Sequence, residues 1–220
     1  MAMLVQTSEA PVKARKPHRK ATSTSVWSTP GELGVDEWFE LNSRDDGSRY
    51  ELIDGSLIVS PAPSFRHQRL GDRLQTYLES VRPKEVVPIT ATGLLLDRKP
   101  GVIPDLMVVD KAPFEGDANV AQPEWAHLVV EIASKSTTAT DRQTKHAKYA
   151  KYAEAGIPHF WRVEMRPFRG QGNEKLPVIF TYTLEANREY QLTHRISADA
   201  TVEPTEPFKL TLAPAALAEI

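Results

Sequence analysis

Cysteine is absent from the 220 residues of this chain, and so is any long apolar run. Without cysteine, the protein cannot form disulfides, bind zinc or iron–sulfur clusters through thiolates, or use a thiol nucleophile. No run approaches the roughly 20 apolar residues of a transmembrane helix, and the amino terminus lacks the apolar segment of a secretory signal. We therefore expect a soluble, cytoplasmic protein with no membrane partner.

Several common catalytic motifs are missing as well. The chain has no glycine-rich phosphate loop, no His-Glu-x-x-His pair, no Gly-x-Ser-x-Gly elbow and no internal repeat. Any chemistry must therefore come from side chains that the fold brings together.

Positive charge is concentrated at the amino terminus. Residues 1–28 carry five lysines and arginines against one acid, a net charge of +4, so the remaining residues carry −6 of the chain's total of −2. This segment is rich in Ser, Thr, Ala and Pro, a composition that favours disorder. We expect a disordered basic tail over 1–28 and a single domain over 29–220. The tail either contacts nucleic-acid phosphate or only keeps the protein soluble. Because residues 29–220 carry a net negative charge, they would need a local basic patch or metal ions to bind nucleic acid.

Two short apolar runs each carry one carboxylate: Asp105 in residues 104–109 and Glu131 in residues 128–134. Such runs predict strands that are covered on both faces. A carboxylate in a strand of this kind loses hydration, which a cation, a metal or hydrogen bonds must replace. Two of them on neighbouring strands predict a divalent-metal site. Alternatively, one or both lie at a strand end and face water.

Two further polar residues lie where the pattern predicts inward-facing positions. Residues 49–60 contain an Asp-Gly pair between two β-prone stretches, which predicts a hairpin with Glu51 in its first strand. Ser64 is a good N-cap for a helix with a clear apolar stripe, and His67 continues that stripe into the first turn. Glu51 either joins the site or faces solvent, and His67 either contacts a phosphate or water or only packs.

The best-defined helix of the pattern covers residues 141–155. Asp141, Lys145, Tyr149 and Tyr152 fall on one face of it, at spacings of four, four and three residues. Helical side chains lean toward the amino-terminal end, so we expect the ammonium of Lys145 near the turn at Ser134 and the end of the second carboxylate strand. Alternatively, Lys145 forms an ordinary surface pair with Asp141, worth about 0.3–0.5 kcal/mol.

The β-prone pattern of the carboxyl-terminal third predicts further strands that extend the sheet. Residues 177–184 and 189–196 have the pattern of a hairpin, and residues 208–212 that of a short last strand. These segments carry no recognisable chemistry.

Taken in order, the motifs of the chain resemble those of a known family. They are Tyr50-Glu51-Leu52-Ile53-Asp54-Gly55, Ser60-Pro61-Ala62-Pro63 with Arg66-His67, Pro104-Asp105, Val130-Glu131-Ile132 with Ser134, and Asp141, Lys145, Tyr149 and Gly156. In combination they resemble the Uma-two-type family of restriction-endonuclease-like proteins, which is related to the PD-(D/E)XK nuclease superfamily.

The resemblance implies an α/β restriction-endonuclease-like core, with a central mixed β-sheet flanked by α-helices and extra antiparallel strands at the C-terminal end. It places the metal-binding aspartate on Asp105 and the strand glutamate on Glu131. We expect the carbonyl of Ile132 to be a further ligand of Mg²⁺ or Mn²⁺, and Lys145 to orient the attacking water or stabilise the transition state. The supporting positions are Glu51, His67, Ser134, Asp141 and Tyr149.

One departure concerns the catalytic cation. The lysine of the superfamily usually stands two residues after the strand glutamate, and this chain has Ala133 there. Lys145 would have to supply the charge from the helix, with Lys135 in the preceding turn as a second candidate.

The expected function is that of a Mg²⁺-dependent endonuclease that hydrolyses phosphodiester bonds of DNA. DNA is the expected partner, and whether the chain forms a homodimer is left open. A non-catalytic module that binds nucleic acid with the same fold, and a metal-dependent hydrolase of a smaller phosphate compound, are the two alternatives.

Overall fold

The computed structural model describes residues 25–28, 33–44, 47–96, 99–133 and 148–218 of the chain. Within these ranges the helices are α1 (Val35–Asn42), α2 (Phe65–Val81), α3 (Ala112–Glu115), α4 (residues 148–154) and α5 (Pro214–Ala218). None of the helices described is long and apolar enough to cross a membrane.

The strands follow one another closely along the chain. They are β1 (Ser25–Ser28), β2 (Arg49–Ile53), β3 (Ser56–Ser60), β4 (Val86–Thr90), β5 (Gly93–Leu96), β6 (Lys99–Val102), β7 (Leu106–Asp110), β8 (Val120–Ala121), β9 (Ala126–Ala133), β10 (His159–Glu164), β11 (Val178–Leu184) and β12 (Tyr190–Ile196).

A six-stranded mixed sheet forms the centre of the fold, in the order β12-β11-β10-β9-β7-β4. β9 and β10 are parallel, and the other neighbouring pairs are antiparallel. A parallel pair needs a long crossover connection, and α4 lies in the one between β9 and β10. The predicted mixed sheet is therefore confirmed, with β11 and β12 as its extra antiparallel strands.

Two smaller sheets lie beside the central one, in the orders β1-β3-β2 and β6-β5-β8. The predicted hairpin of residues 49–60 is formed by β2 and β3, which pair antiparallel. Asp54 and Gly55 turn the chain with φ values of 49° and 73°. Positive φ at both central residues is what a tight hairpin turn requires, and an Asp-Gly pair accepts it at little cost.

The amino-terminal boundary differs from the sequence prediction. Residues 25–28, which the composition assigns to the basic tail, form β1 and pair with β3 over the whole length of the strand. Edge pairing of a short Ser-rich stretch depends on a partner strand, which local composition does not reveal. Residues 1–24 lie outside the described part of the chain.

Both faces of the central sheet are buried, as the unbroken apolar runs predict. On one face Leu106, Val130 and Ile132 pack against the α2 stripe, in a cluster that includes Leu70 and Leu74. The opposite face has its own cluster, with Met107, Val109, Val129, Phe160 and Tyr152 of α4 among its members. Because side chains alternate along a strand, α2 and α4 approach β9 from opposite sides.

The carboxyl-terminal end also departs from the pattern. In place of the predicted strand over 208–212, Leu212 forms a single antiparallel bridge with Val202. Leu210 and Leu212 are nevertheless buried, in the same cluster as the α2 stripe. An alternating pattern records burial of every second side chain, and a ladder of hydrogen bonds needs in addition a second strand to pair with.

Candidate active site

Asp105 lies directly before the first residue of β7. The antiparallel register of β7 and β9 pairs Leu106 with Val130. The backbone N–H of Ile132, the residue after Glu131, donates to Oδ2 of Asp105 at 2.8 Å. The carboxylate of Asp105 is also close enough to Glu131 to raise the pKa of that residue, so the two carboxylates are neighbours.

Three donors surround the Asp105 carboxylate, whose side chain is 6% exposed. The guanidinium of Arg49 donates from Nη1 to Oδ1 at 2.8 Å. The backbone N–H of Ile132 donates to Oδ2 at 2.8 Å, and Nε2 of His67 lies 3.1 Å from the same oxygen. A buried carboxylate is stable only with such compensation, so its position is determined by three separate elements.

Glu51 and Glu131 meet at one ammonium, that of Lys148 in α4. Its Nζ lies 2.9 Å from Oε1 of Glu51 and 2.5 Å from Oε1 of Glu131. The hydroxyl of Tyr152 donates to the same oxygen of Glu131 at 2.6 Å, and the N–H of Ile103 donates to Glu51 at 2.8 Å. Lys148 and Glu51 are 5% and 4% exposed, so this ion pair is almost fully shielded from water.

The surroundings shift the pKa of Asp105 downward. Burial alone would raise it, but the hydrogen bond and charge of His67, with the charges of Arg49 and Lys148, outweigh burial and hold the pKa well below its ordinary value. Asp105 is thus an ionised carboxylate over the whole physiological pH range.

Burial and neighbouring charges also shift the pKa values of Glu131 and Lys148. Burial, and then the neighbouring carboxylates of Asp105 and Glu51, raise the pKa of Glu131 even against the attraction of Lys148. Burial would lower the pKa of Lys148, but the carboxylates of Glu131, Glu51 and Asp105 raise it above its ordinary value. Lys148 therefore keeps its charge, and Glu131 is the carboxyl of the site that takes up a proton more readily than usual.

The lowered pKa of Asp105 predicts an acid-dependent loss of stability. An unfolded aspartate titrates near 3.8, so the contribution of Asp105 to stability is complete above that pH and is lost as pH falls toward the lower folded-state value. We expect Asp105→Asn to lower the free energy of unfolding by on the order of 3 kcal/mol near neutral pH, and the gap to the wild type to narrow below about pH 4. Urea unfolding of both proteins across this pH range measures the gap, and a gap that does not change with pH would contradict the prediction.

The structure brings together five of the residues that the sequence singled out: Glu51, His67, Asp105, Glu131 and Ile132. His67 is buried, and its Nε2 also lies 3.2 Å from the carbonyl oxygen of Ile132. The three predicted positions Ser134, Asp141 and Lys145, and the second candidate Lys135, lie outside the described residues.

Tyr149 is placed elsewhere. Its hydroxyl donates to the carbonyl oxygen of Tyr190 at 3.0 Å, and its ring packs against Phe160, Tyr182 and Tyr190. Tyr152, three residues later and nearly one turn further along α4, makes the contact with Glu131 instead. Tyr149 thus belongs to the aromatic packing under β10–β12.

Sequence reasoning missed two cations of the site, Lys148 and Arg49. Lys148 lies four residues before Tyr152 and three after Lys145, so it shares their helical face, and a lysine one turn before a buried tyrosine is the signal that could have found it. Arg49 lies two residues before Glu51 in β2 and therefore on the same face of that strand.

A divalent cation fits the donor set in part. No three Asp, Glu or His side chains within the described ranges are gathered closely enough to hold a metal by themselves. However, Oδ2 of Asp105 and the carbonyl oxygen of Ile132 share His67 Nε2 as a partner, at 3.1 Å and 3.2 Å, and are therefore near each other. Carboxylate and carbonyl oxygens are the ligands that Mg²⁺ prefers, completed by water.

The charge of the site also suits a cation. Glu51, Asp105 and Glu131 supply three negative charges, and Arg49 and Lys148 supply two positive ones. With His67 left uncounted, one negative charge is in excess. Either a proton on Glu131 or a bound cation would balance it. Burial, and then the carboxylates of Asp105 and Glu51, raise the pKa of Glu131 and so favour the proton when no cation is bound.

Comparisons with known proteins identify a family and a similar fold. A family model described as "Uma2: Putative restriction endonuclease" matches residues 35–216. A crystal structure described as a putative nuclease belonging to DUF820, from Anabaena variabilis ATCC 29413, matches with a TM-score of 0.59 and 20% identity, covering 84% of this chain and 97% of its own. A likeness at this identity shows the fold alone. No curated protein matches the chain.

Proposed function

The chain belongs to the Uma2 family, and from this we propose that it is a divalent-metal-dependent endonuclease that hydrolyses phosphodiester bonds of DNA. The observation that carries the proposal is the meeting of two carboxylates and an ammonium at one end of the central sheet. Asp105 accepts a hydrogen bond from the N–H of Ile132, the residue after Glu131, and Lys148 lies 2.5 Å from Glu131. These are the groups that phosphodiester hydrolysis needs, because the substrate is an anion and its transition state carries still more negative charge.

Asp105, Glu131 and the carbonyl of Ile132 would hold the cation, which when bound lowers the pKa of a water molecule and attracts the phosphate. Tyr152 and Lys148 both contact Oε1 of Glu131 and so hold its carboxylate in one orientation.

Lys148 takes the role that the sequence analysis assigned to Lys145. Two carboxylates hold its ammonium, and its raised pKa keeps it protonated. It therefore acts as a fixed positive charge beside the developing negative charge of the phosphate, and does not serve as a proton acceptor. One preorganised donor of this kind is worth about 10²-fold or more in rate. The alanine at position 133 is then no obstacle to catalysis, because α4 supplies the cation.

One observation favours the alternative of a non-catalytic nucleic-acid-binding module. Both carboxylate oxygens of Asp105 already have partners: the guanidinium of Arg49, the Nε2 of His67 and the N–H of Ile132. A carboxylate satisfied in this way is stable without a metal, so the fold would persist in a protein that has lost catalysis.

The test is cleavage of supercoiled plasmid by the purified full-length protein. We expect nicking and linearisation with Mg²⁺ or Mn²⁺ and none with EDTA, and no cleavage by an Asp105→Asn, Glu131→Gln double variant purified in parallel, which controls for contaminating nucleases. The proposal would be wrong if the wild type left plasmid, linear duplex and single-stranded DNA intact with either metal. Binding of DNA without cleavage would then support the non-catalytic module.

A further inference from the structure

Two adjoining depressions lie at the amino-terminal end of α2, with volumes of 230 Å³ and 270 Å³. They share Arg66, Met165 and Leu176 as lining residues, and we call them together the α2 groove. Its outer part is lined by Phe65 and Arg69, and its inner part by His67, Arg166 and Ala133. Each part is smaller than the about 300–1,000 Å³ of a pocket for a drug-sized ligand, so each admits a group the size of one base or one phosphate.

The groove leads to the candidate active site through His67. The Nε2 of this residue lies 3.1 Å from Asp105, while its Nδ1 is buried without a hydrogen-bond partner in the described part of the chain. The inner end of the groove is thus one residue away from the carboxylate of Asp105.

The groove is basic, although the chain as a whole is acidic. Arg66, Arg69 and Arg166 are exposed, and none of them forms a hydrogen bond or ion pair with any residue that the structure describes. No acidic side chain is among the described residues that line either part. The planar guanidinium groups around the depression can each bind two oxygens of a phosphate. This is the local basic patch that nucleic-acid binding requires of an acidic body.

Phe65 is the apolar element of the groove. Its side chain is 74% exposed, and only one other large apolar residue in the described ranges, Leu192, is classed as exposed. It is the first residue of α2 and directly precedes Arg66. A ring held in water beside arginines is the arrangement on which unpaired bases stack in proteins that bind single-stranded nucleic acid.

We propose that the α2 groove binds an unpaired stretch of nucleic acid, with Phe65 stacked on one base and the three arginines on the flanking phosphates. This inference rests on the proposed function and narrows its substrate class to single-stranded, flapped or locally opened DNA. In an intact duplex the bases are stacked on one another and their faces are not available to Phe65. The arginines would still contact duplex phosphates, so the preference for unpaired over duplex DNA comes from the stacking contact of Phe65.

Binding without metal tests the groove independently of catalysis. We expect the full-length protein in EDTA to bind a fluorescent single-stranded DNA oligonucleotide more tightly than a duplex of equal length, as measured by anisotropy. Phe65→Ala should weaken single-strand binding roughly ten-fold, the loss of one base stack, and change duplex binding by less than about two-fold. Phe65→Trp should keep the affinity. Leu192→Ala is the matched control, because it removes the other exposed apolar side chain.

The salt dependence tests the arginines. Replacing an arginine that contacts a phosphate by glutamine should reduce the slope of log affinity against log salt concentration by about 0.7 for single-stranded DNA. Lys84→Gln is the control, because Lys84 is exposed just beyond the opposite end of α2. Equal slopes for Arg66→Gln and Lys84→Gln, equal affinities for single strand and duplex, or no loss in Phe65→Ala would each overturn the proposal. Equally tight binding of heparin, which has no bases, would overturn the stacking contact as well.

The two proposals fail in different ways. If the wild type cleaves DNA with metal but Phe65→Ala cleaves single-stranded and duplex substrates with unchanged KM, the groove proposal is wrong and the nuclease proposal stands. If no cleavage is found but single-strand binding depends on Phe65, the groove proposal stands and the nuclease proposal is wrong.

Discussion

Lys148→Met should lower both the stability and the activity of the protein by large amounts. The substitution removes the cation that lies within 2.9 Å of both Glu51 and Glu131. Removing one partner of a buried ion pair leaves an uncompensated charge, which costs about 3–5 kcal/mol. Cleavage should fall by about 10²-fold or more, because a preorganised positive charge is lost from the site. Urea unfolding and plasmid cleavage measure the two effects.

The matched control is Lys151→Gln in the same helix. Lys151 pairs with Asp54 and Glu154, whose side chains are largely exposed, so its loss should cost about 1 kcal/mol or less and leave cleavage unchanged. Lys148→Arg separates the role of Lys148 in stability from its role in cleavage. Arginine keeps the positive charge, and with it part of the stability, but changes the shape of the hydrogen-bond donor. Cleavage is compared at a temperature where circular dichroism shows each variant folded.

The same series decides between Lys148 and Lys145. If Lys148 is the catalytic cation, Lys145→Met should cleave far better than Lys148→Met. Loss of cleavage in Lys145→Met with full activity in Lys148→Met would show that the sequence-based assignment was right. Equal losses of stability in Lys148→Met and Lys151→Gln would contradict the ion pair described here.

Asp105→Asn should abolish cleavage and weaken metal binding. Asparagine has nearly the same shape and still accepts a hydrogen bond from Arg49 or from the N–H of Ile132, so the fold should persist. It lacks the negative charge that a divalent cation needs, and it leaves the guanidinium of Arg49 without its charged partner, 2.8 Å away in the wild type. Isothermal titration with Mn²⁺ in the absence of DNA should give a clear binding heat for the wild type and little or none for the variant.

Asp110→Asn is the control for that experiment, because Asp110 ends the same strand, β7, that Asp105 precedes. It is half-exposed and lies 2.7 Å from His127, so the variant should bind Mn²⁺ and cleave DNA as the wild type does. If the wild-type protein binds no Mn²⁺, the proposal that the site works with a divalent metal is wrong. Full cleavage by Asp105→Asn would show that the metal, if present, is held elsewhere.

The positions of the carboxylates follow from local patterns. Asp105 and Glu131 each interrupt a short apolar run, which is typical of a strand that is covered on both faces. His67 continues the stripe of α2, and the periodicity of the helix turns it inward. In each case the cost of burying a polar group predicts a compensating partner.

The identity of the partners does not follow in that way. Lys145, Lys148, Tyr149 and Tyr152 share one face of the same predicted helix, and any of them satisfies the pattern. The ammonium that reaches Glu131 depends on how far α4 is displaced along β9, and this displacement is set by the packing of Tyr152 and its neighbours against the sheet. A difference of one helical turn is about 5.4 Å, which is enough to exchange one lysine for another.

Composition and periodicity alone establish several properties of this protein. They exclude thiol chemistry, predict the Asp54–Gly55 hairpin, and mark Asp105 and Glu131 as expensive to bury, because each property depends on composition or on residues that are near one another in the chain. The mixed sheet is implied only by the resemblance to a known family. The tertiary structure decides that Arg49 and Lys148 supply positive charges of the site and that Phe65 and Arg166 line adjoining parts of one groove. Those contacts join residues from distant parts of the chain, and only the packing of complete elements brings them together.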